Sequence, residues 1–323
     1  MNTSNIPANN YRSPNEKHWT GRATPKEDGP QYWYQQIKCL DLLTEKGPIG
    51  DVAILGYACD EGVLRNQGRV GAADGPKYSR QKLARLSYHH KKTVADVGDI
   101  ICIKDKLEEC QDALASVVHL LLEHSIFPIV IGGGHDIAYG HFNGIMKALG
   151  QRSDKIGIIN FDAHFDLRPV KDGANSGTPF YQILKEHGKQ VNYLAIGIQE
   201  ASNTPSLFNV AHRLGVEYIL IDRCKMTFID EIKKQLEAFL LDKDHIYITI
   251  DIDGIASAFA PGASAPSPTG FTPSFLLSCL DYLMRSNKVV SCDIAEFNPR
   301  YDIDGVTAKL VARIVDHVVK NIP

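Results

Sequence analysis

At 323 residues, with 44% of them apolar, 23% charged and a net charge of −3, the chain has ample material for a large packed core. The near balance of charge, without a basic tract, excludes nucleic acid and anionic membrane as expected partners. No apolar run reaches the roughly 18 residues of a membrane span, the polar N-terminus lacks a signal-peptide core, and seven scattered cysteines without C-x-x-C spacing fit reduced thiols in a cytoplasm.

Residues 1–48 differ from the rest and read as an N-terminal arm, polar, Pro-containing and carrying both tryptophans. Its first dozen residues are expected to be a disordered tail. Trp19 and the Tyr32-Trp33-Tyr34 cluster are expected to anchor the arm and a short helix on the domain or on a neighbouring subunit. Residues 49–323 then read as one catalytic domain, because no repeat or long linker divides them.

From Asp51 onward, short β-rich runs alternate with amphipathic stretches. Strands are expected near 52–57, 94–97, 127–131, 156–161, 192–197, 217–221, 246–251 and 289–294. Helical periodicity marks 106–124, 136–149, 204–214, 227–241, 272–286 and 304–321. Continuously apolar strands alternating with helices predict an α/β fold with a mostly parallel sheet covered on both faces.

Three motifs follow such strands directly. They are Gly132-Gly133-Gly134-His135-Asp136, then Asp162-Ala163-His164-Phe165-Asp166, and Asp251-Ile252-Asp253. The glycine run lacks the Gly-Lys-Ser/Thr ending of a phosphate loop and reads as a turn that presents His135, with Asp136 as a helix cap or a partner of a ligand. In extended chain, residues i, i+2 and i+4 share a face, so each Asp-containing motif can converge its polar side chains on one point. Four carboxylates gathered in a dry pocket would carry −4, which two divalent cations cancel. The donor set of His135, Asp162, His164, Asp166, Asp251 and Asp253 is oxygen-rich and favours two Mn²⁺ per chain, with Zn²⁺, Fe²⁺ or Co²⁺ as substitutes. Such a pair activates water for hydrolysis. The remaining histidines read as surface or satisfied core residues, and no Gly-x-Ser-x-Gly or activated cysteine supports covalent catalysis.

Together with Asp293-Ile-Ala-Glu296-Phe-Asn-Pro299, these motifs resemble the four signature regions of the ureohydrolase (arginase and agmatinase) family. The resemblance implies a three-layer α/β/α fold around a central, mostly parallel eight-stranded sheet, and homo-oligomers, commonly trimers or hexamers. It places His135, Asp162, His164, Asp166, Asp251 and Asp253 on the family's binuclear manganese ligands, and Glu296 on the carboxylate facing a guanidinium or amidine substrate. Two departures tilt the choice within the family. Ser176 stands where arginases typically carry a histidine, and Asp166-Leu-Arg168 replaces their Asp-x-Asn. With Trp19-Thr-Gly-Arg22, Cys59-Asp-Glu-Gly-Val63, Arg65–Ala72, Gly197–Glu200, Ser202–Thr204 and Ala260–Pro266, they resemble the branch that hydrolyses N-formimidoyl-L-glutamate to glutamate and formamide in histidine degradation. That reading gives Asp166 the role of orienting the attacking water and Glu296 that of pairing with the amidinium. Arg168 is expected at a substrate carboxylate, with Ser176 beside the site and Asn66 and Arg69 as weaker candidates for the second carboxylate. The alternative within the family is agmatine or a guanidino acid as substrate. Outside it, the alternatives are a non-catalytic metal-binding protein and a deacetylase-like single-zinc enzyme.

Overall fold

A computed structural model describes residues 6–44, 47–149 and 155–323. Ten strands form one sheet: β1 (Tyr11–Arg12), β2 (Lys38–Cys39), β3 (Val52–Ala58), β4 (Val94–Ile101), β5 (Phe127–Ile131), β6 (Ile156–Phe161), β7 (Val191–Ile198), β8 (Glu217–Leu220), β9 (His245–Asp251) and β10 (Val289–Ala295). Their order is β1-β4-β3-β5-β10-β9-β6-β7-β8, and β2 also lies on β4. Every pairing is parallel except β1 with β4. The expected count of eight is therefore corrected to ten, with the two extra strands coming from the arm. Arm strand β1 pairs with Asp99 and Ile100 of β4, whereas β2 pairs with Ala95 and Asp96.

The helices are α1 (Trp33–Gln36), α2 (Glu61–Arg65), α3 (Gly75–Leu83), α4 (Leu107–Glu123), α5 (Ile137–Leu149), α6 (Pro179–His187), α7 (Pro205–Leu214), α8 (Ile229–Leu240), α9 (Pro273–Met284) and α10 (Val306–Asn321). Alternate strand residues face opposite layers. Ile54, Ile129, Ile248 and Ile250 pack in one core with side chains of α3, α8, α9 and α10. Leu55, Val130, Ile158 and Tyr193 pack in a second core with α4, α5, α6 and α7. Two helical layers thus enclose the sheet.

The arm is held by buried polar contacts. Trp19 Nε1 donates to Asp96 Oδ2 at 2.8 Å, and Trp33 Nε1 donates to Asp316 Oδ1 at 2.9 Å. Asp96 also meets the fully buried Arg80, whose guanidinium reaches Asp96 Oδ1 at 2.8 Å and Asp99 Oδ1 at 2.5 Å. Two carboxylates beside the buried guanidinium keep its charge from being left unpaired. The expected tail is corrected for residues 6–12, since Ile6 and Tyr11 are buried and Tyr11 Oη donates to Val97 O at 2.9 Å. Residues 1–5 lie outside the described residues.

Candidate metal centre and active site

The sheet order brings the three motifs together. β5, β10, β9 and β6 are consecutive neighbours, so their C-terminal ends deliver His135, Glu296, Asp251 with Asp253, and the Asp162–Asp166 segment to one edge. Open parallel sheets place ligands outside this carboxyl edge.

Glycine is required in the first turn. Gly132 and Gly133 have φ of 95° and 76°, and a Cβ would lie 2.4 Å from Pro76 Cδ and 2.4 Å from Tyr57 Cδ1 respectively. His135 leaves this turn with Nδ1 at 3.1 Å from Asp162 Oδ2, 3.0 Å from Asp166 Oδ2 and 3.1 Å from Asp251 Oδ2. These contacts lack hydrogen-bond geometry, so the buried Nδ1 has no hydrogen-bond partner. Lone pairs converging on a common point in this way fit a cation better than a proton. His164 Nδ1 forms a second group, 3.5 Å from Asp162 Oδ1 and 3.3 Å from Asp253 Oδ2. Ligand atoms within each group lie within 4.8 Å of one another, and Asp162 belongs to both groups. The sequence pattern alone had each motif converging as a unit. Instead, the aspartate motifs after β6 and β9 each divide their residues between two adjacent sites.

Local hydrogen bonds aim these carboxylates. Asp162 Oδ1 accepts from the His164 amide at 2.7 Å, and Asp251 Oδ1 accepts from the Asp253 amide at 2.8 Å. This is the turn geometry that aspartate favours. Behind the site, His135 Nε2 pairs with Thr249 Oγ1 at 2.9 Å, and Thr249 Oγ1 donates to Asp293 Oδ1 at 2.6 Å. Asp293 Oδ2 pairs with His141 Nδ1 at 2.6 Å and accepts from Tyr247 Oη. All five residues are buried. The network fixes the imidazole with Nδ1 forward. Sequence reading missed Thr249, although it lies two residues before Asp251 on the same strand face.

The electrostatics demand positive charge. Burial, then the charges of Asp253 and Asp162, drives the Asp251 carboxyl well above its usual range. Burial opposes a charged His135, yet Asp162, Asp166 and Asp251 hold its pKa well above normal. Asp253 foremost raises His164. Glu296 is pushed up to about 8, first by burial and then by Asp253. Divalent cations would satisfy all of these groups at once. The residues present therefore fit a binuclear metal site, held by His135, Asp162, Asp166 and Asp251 on one side and by Asp162, His164 and Asp253 on the other.

A cavity of about 190 Å³ opens above, lined by Asn66, His164, Asp166, Arg168, Ser176, Asp251, Asp253 and Glu296 together with Val63, Gly68, Ser264 and Ala265. Glu296 Oε1 accepts from the His135 amide at 2.9 Å. Asp166 and Glu296 have φ of 49° and 63°, in the left-handed region. That region costs a non-glycine residue roughly 1–2 kcal/mol and is concentrated at functional sites. At the rim, Arg168 Nη1 donates to Asn66 Oδ1 at 2.6 Å, and Asn66 Nδ2 donates to Ser176 Oγ at 3.0 Å. Arg168 is exposed and forms no ion pair among the described residues. Arg69, expected near a substrate carboxylate, is outside the lining. Its Nε and Nη2 donate to Ser264 O at 2.8 Å and Ala263 O at 2.6 Å, and its guanidinium stacks 3.8 Å over Tyr301. It shapes the cavity wall from behind.

The arginase family model matches residues 50–320. The chain belongs to the arginase family. Among curated members of that family, it is 42% identical over 306 residues to the formimidoylglutamase of Geobacillus thermodenitrificans, covering 94% of each chain. It is 40% identical over 311 residues to that of Ralstonia nicotianae, covering 94% of this chain and 95% of the relative. The fold matches the formimidoylglutamase of Bacillus subtilis with a TM-score of 0.83 at 24% identity, over 93% of this chain and 94% of the other. It also matches the formiminoglutamase of Trypanosoma cruzi crystallised with Mn²⁺, with a TM-score of 0.75 at 24% identity, over 97% of this chain and 100% of the other.

Proposed function

We propose that the chain hydrolyses N-formimidoyl-L-glutamate to L-glutamate and formamide at a pair of Mn²⁺ ions. The observation that carries the substrate choice is the Arg168–Asn66–Ser176 rim above a carboxylate-lined cavity. A substrate with a cationic amidine at one end and two carboxylates at the other matches that polarity. Identity of 42% to a formimidoylglutamase over nearly the whole chain supports the same reading.

Bound at the six ligands, the cations supply Lewis-acid activation of a water at neutral pH. The chain's own residues do the rest. Glu296 pairs with the amidinium nitrogens and holds the carbon near Asp166, whose carboxylate orients the attacking water. The water oxygen bonds to the amidine carbon, the carbon–nitrogen bond to glutamate breaks with its electron pair on that nitrogen, and the two protons of the water end there, leaving neutral formamide and the ammonium of glutamate. Arg168 meets a substrate carboxylate with a planar donor fork. Ser176 accepts from Asn66, so its own hydroxyl hydrogen remains for the substrate. We also propose that residues 49–323 act as the catalytic domain, that copies of the chain assemble, as the resemblance implies, and that the enzyme works in the cytoplasm. No helix among the described residues is long and apolar enough to cross a membrane.

Steady-state rates on formimidoylglutamate, arginine, agmatine and guanidinobutyrate test the assignment. Formimidoylglutamate should exceed the others by orders of magnitude in kcat/KM. Equal or better turnover of a guanidino compound would overturn it.

A further inference from the structure

Three of the seven cysteines, far apart in sequence, converge. Ala58 and Ile101 are register partners on β3 and β4, so Cys59 and Cys102 leave neighbouring strand ends side by side. Cys110 comes from the first turn of α4 and completes the group, with the three sulfurs within 4.8 Å of one another. Cys59 and Cys110 are buried, and Cys102 is half-buried. Cys102 Sγ donates to Lys104 O at 3.5 Å.

We propose that Cys59, Cys102 and Cys110 form a thiolate site for one thiophilic divalent cation of the Zn²⁺ class, separate from the oxygen-rich pair. Sulfur bound at about 2.3 Å in a tetrahedron implies sulfur–sulfur separations of roughly 3.8 Å, which fit inside the 4.8 Å span that contains the three sulfurs. The partial exposure of Cys102 provides an entry path and a fourth position for water. Ligand softness separates the two sites. Thiolates select Zn²⁺-class ions, while carboxylates suit Mn²⁺.

The site has a structural consequence. Cys59 O accepts the Gly134 amide at 3.1 Å, immediately before His135. Cys59 also precedes α2 and Asn66, which carry the other side of the cavity. A cation there would tie β3, β4 and α4 beneath both the ligand-presenting turn and the substrate rim.

Co²⁺ titration of the reduced, metal-free protein provides the test. Oxygen and nitrogen ligands give only weak visible bands, whereas thiolate ligation gives an intense charge-transfer band in the near ultraviolet. The band should level off at the intensity of one thiolate-bound Co²⁺ per chain, disappear on Zn²⁺ addition, be lost in Cys102→Ser and persist in Cys39→Ser. Zn²⁺ should also protect the half-buried Cys102 of the unaltered protein from alkylation, read by mass spectrometry of its peptide, a readout that needs no variant to fold. Absence of the band in fully reduced protein, its survival in folded Cys102→Ser, or no thiol protection would overturn the proposal.

Discussion

His135 and Thr249 are joined at 2.9 Å through Nε2, the imidazole nitrogen that faces away from the carboxylates. Thr249 in turn donates to Asp293. A ligand histidine is only as well aimed as the group behind it. Thr249→Val keeps the shape and removes the hydroxyl, leaving His135 Nε2 and Asp293 Oδ1 short of a partner. Affinity for Mn²⁺ should fall about 10–100-fold, measured by calorimetric titration of the chelated protein. An unchanged Kd would remove Thr249 from the positioning role.

Glu296 has a different task from the ligands around it. Glu296→Gln keeps the acceptor for the His135 amide and removes the charge facing the amidinium. We expect kcat/KM to fall about 100-fold or more, while elemental analysis still finds two metals per chain. Loss of metal along with activity would assign Glu296 to metal binding instead.

Arg168→Ala should raise KM for formimidoylglutamate about 10–100-fold, the scale of one charge-assisted contact. Turnover at saturation should change little, and Arg168→Lys should recover only part of the loss. A drop in kcat with KM intact would contradict a role in binding the substrate's distal carboxylate.

The carboxylates make stability depend on pH in a definite direction. Glu296 is raised to about 8 in the folded chain, from an ordinary value of 4.5, and Asp251 is raised as well. Groups with raised folded pKa values bind protons more tightly when folded. Their stabilisation is complete below the unfolded values and is lost as pH climbs through the folded ones. Chelated protein should therefore melt at progressively lower temperature from about pH 4 to about pH 8, and the stabilisation by added Mn²⁺ should grow over the same interval. Scanning calorimetry with and without the metal measures this. A metal-free melting temperature that rises across that interval would contradict the assigned charges.

The eight longer strands were legible because most carry apolar runs, such as Ile129–Ile131 or Ile156–Ile159, and β6 and β9 run directly into the aspartate motifs. The two arm strands were not, since two residues carry no periodicity. Helix α3 was hidden for another reason. Its buried face includes Ser79 and Arg80, and only Asp96 and Asp99 make the arginine acceptable inside. The ligand set could be read from spacing, but its division into two groups sharing Asp162 depends on where β5 and β9 lie relative to β6. Arg69 shows the same limit. A basic residue near a site can bind substrate or brace a loop, and only the positions of Ala263 and Ser264 distinguish the two.

The position of β10 bears on how the protein is made. This late strand lies between β5 and β9, in the middle of the sheet. Until Val289–Ala295 has left the ribosome, the strand presenting His135 and those presenting the aspartates belong to two half-sheets with exposed facing edges. Such edges are sticky. The edge of β5 stays open from its own synthesis until β10 emerges, and that of β9 from Asp251 onward, so shielding these two edges during synthesis should raise the yield of folded chain.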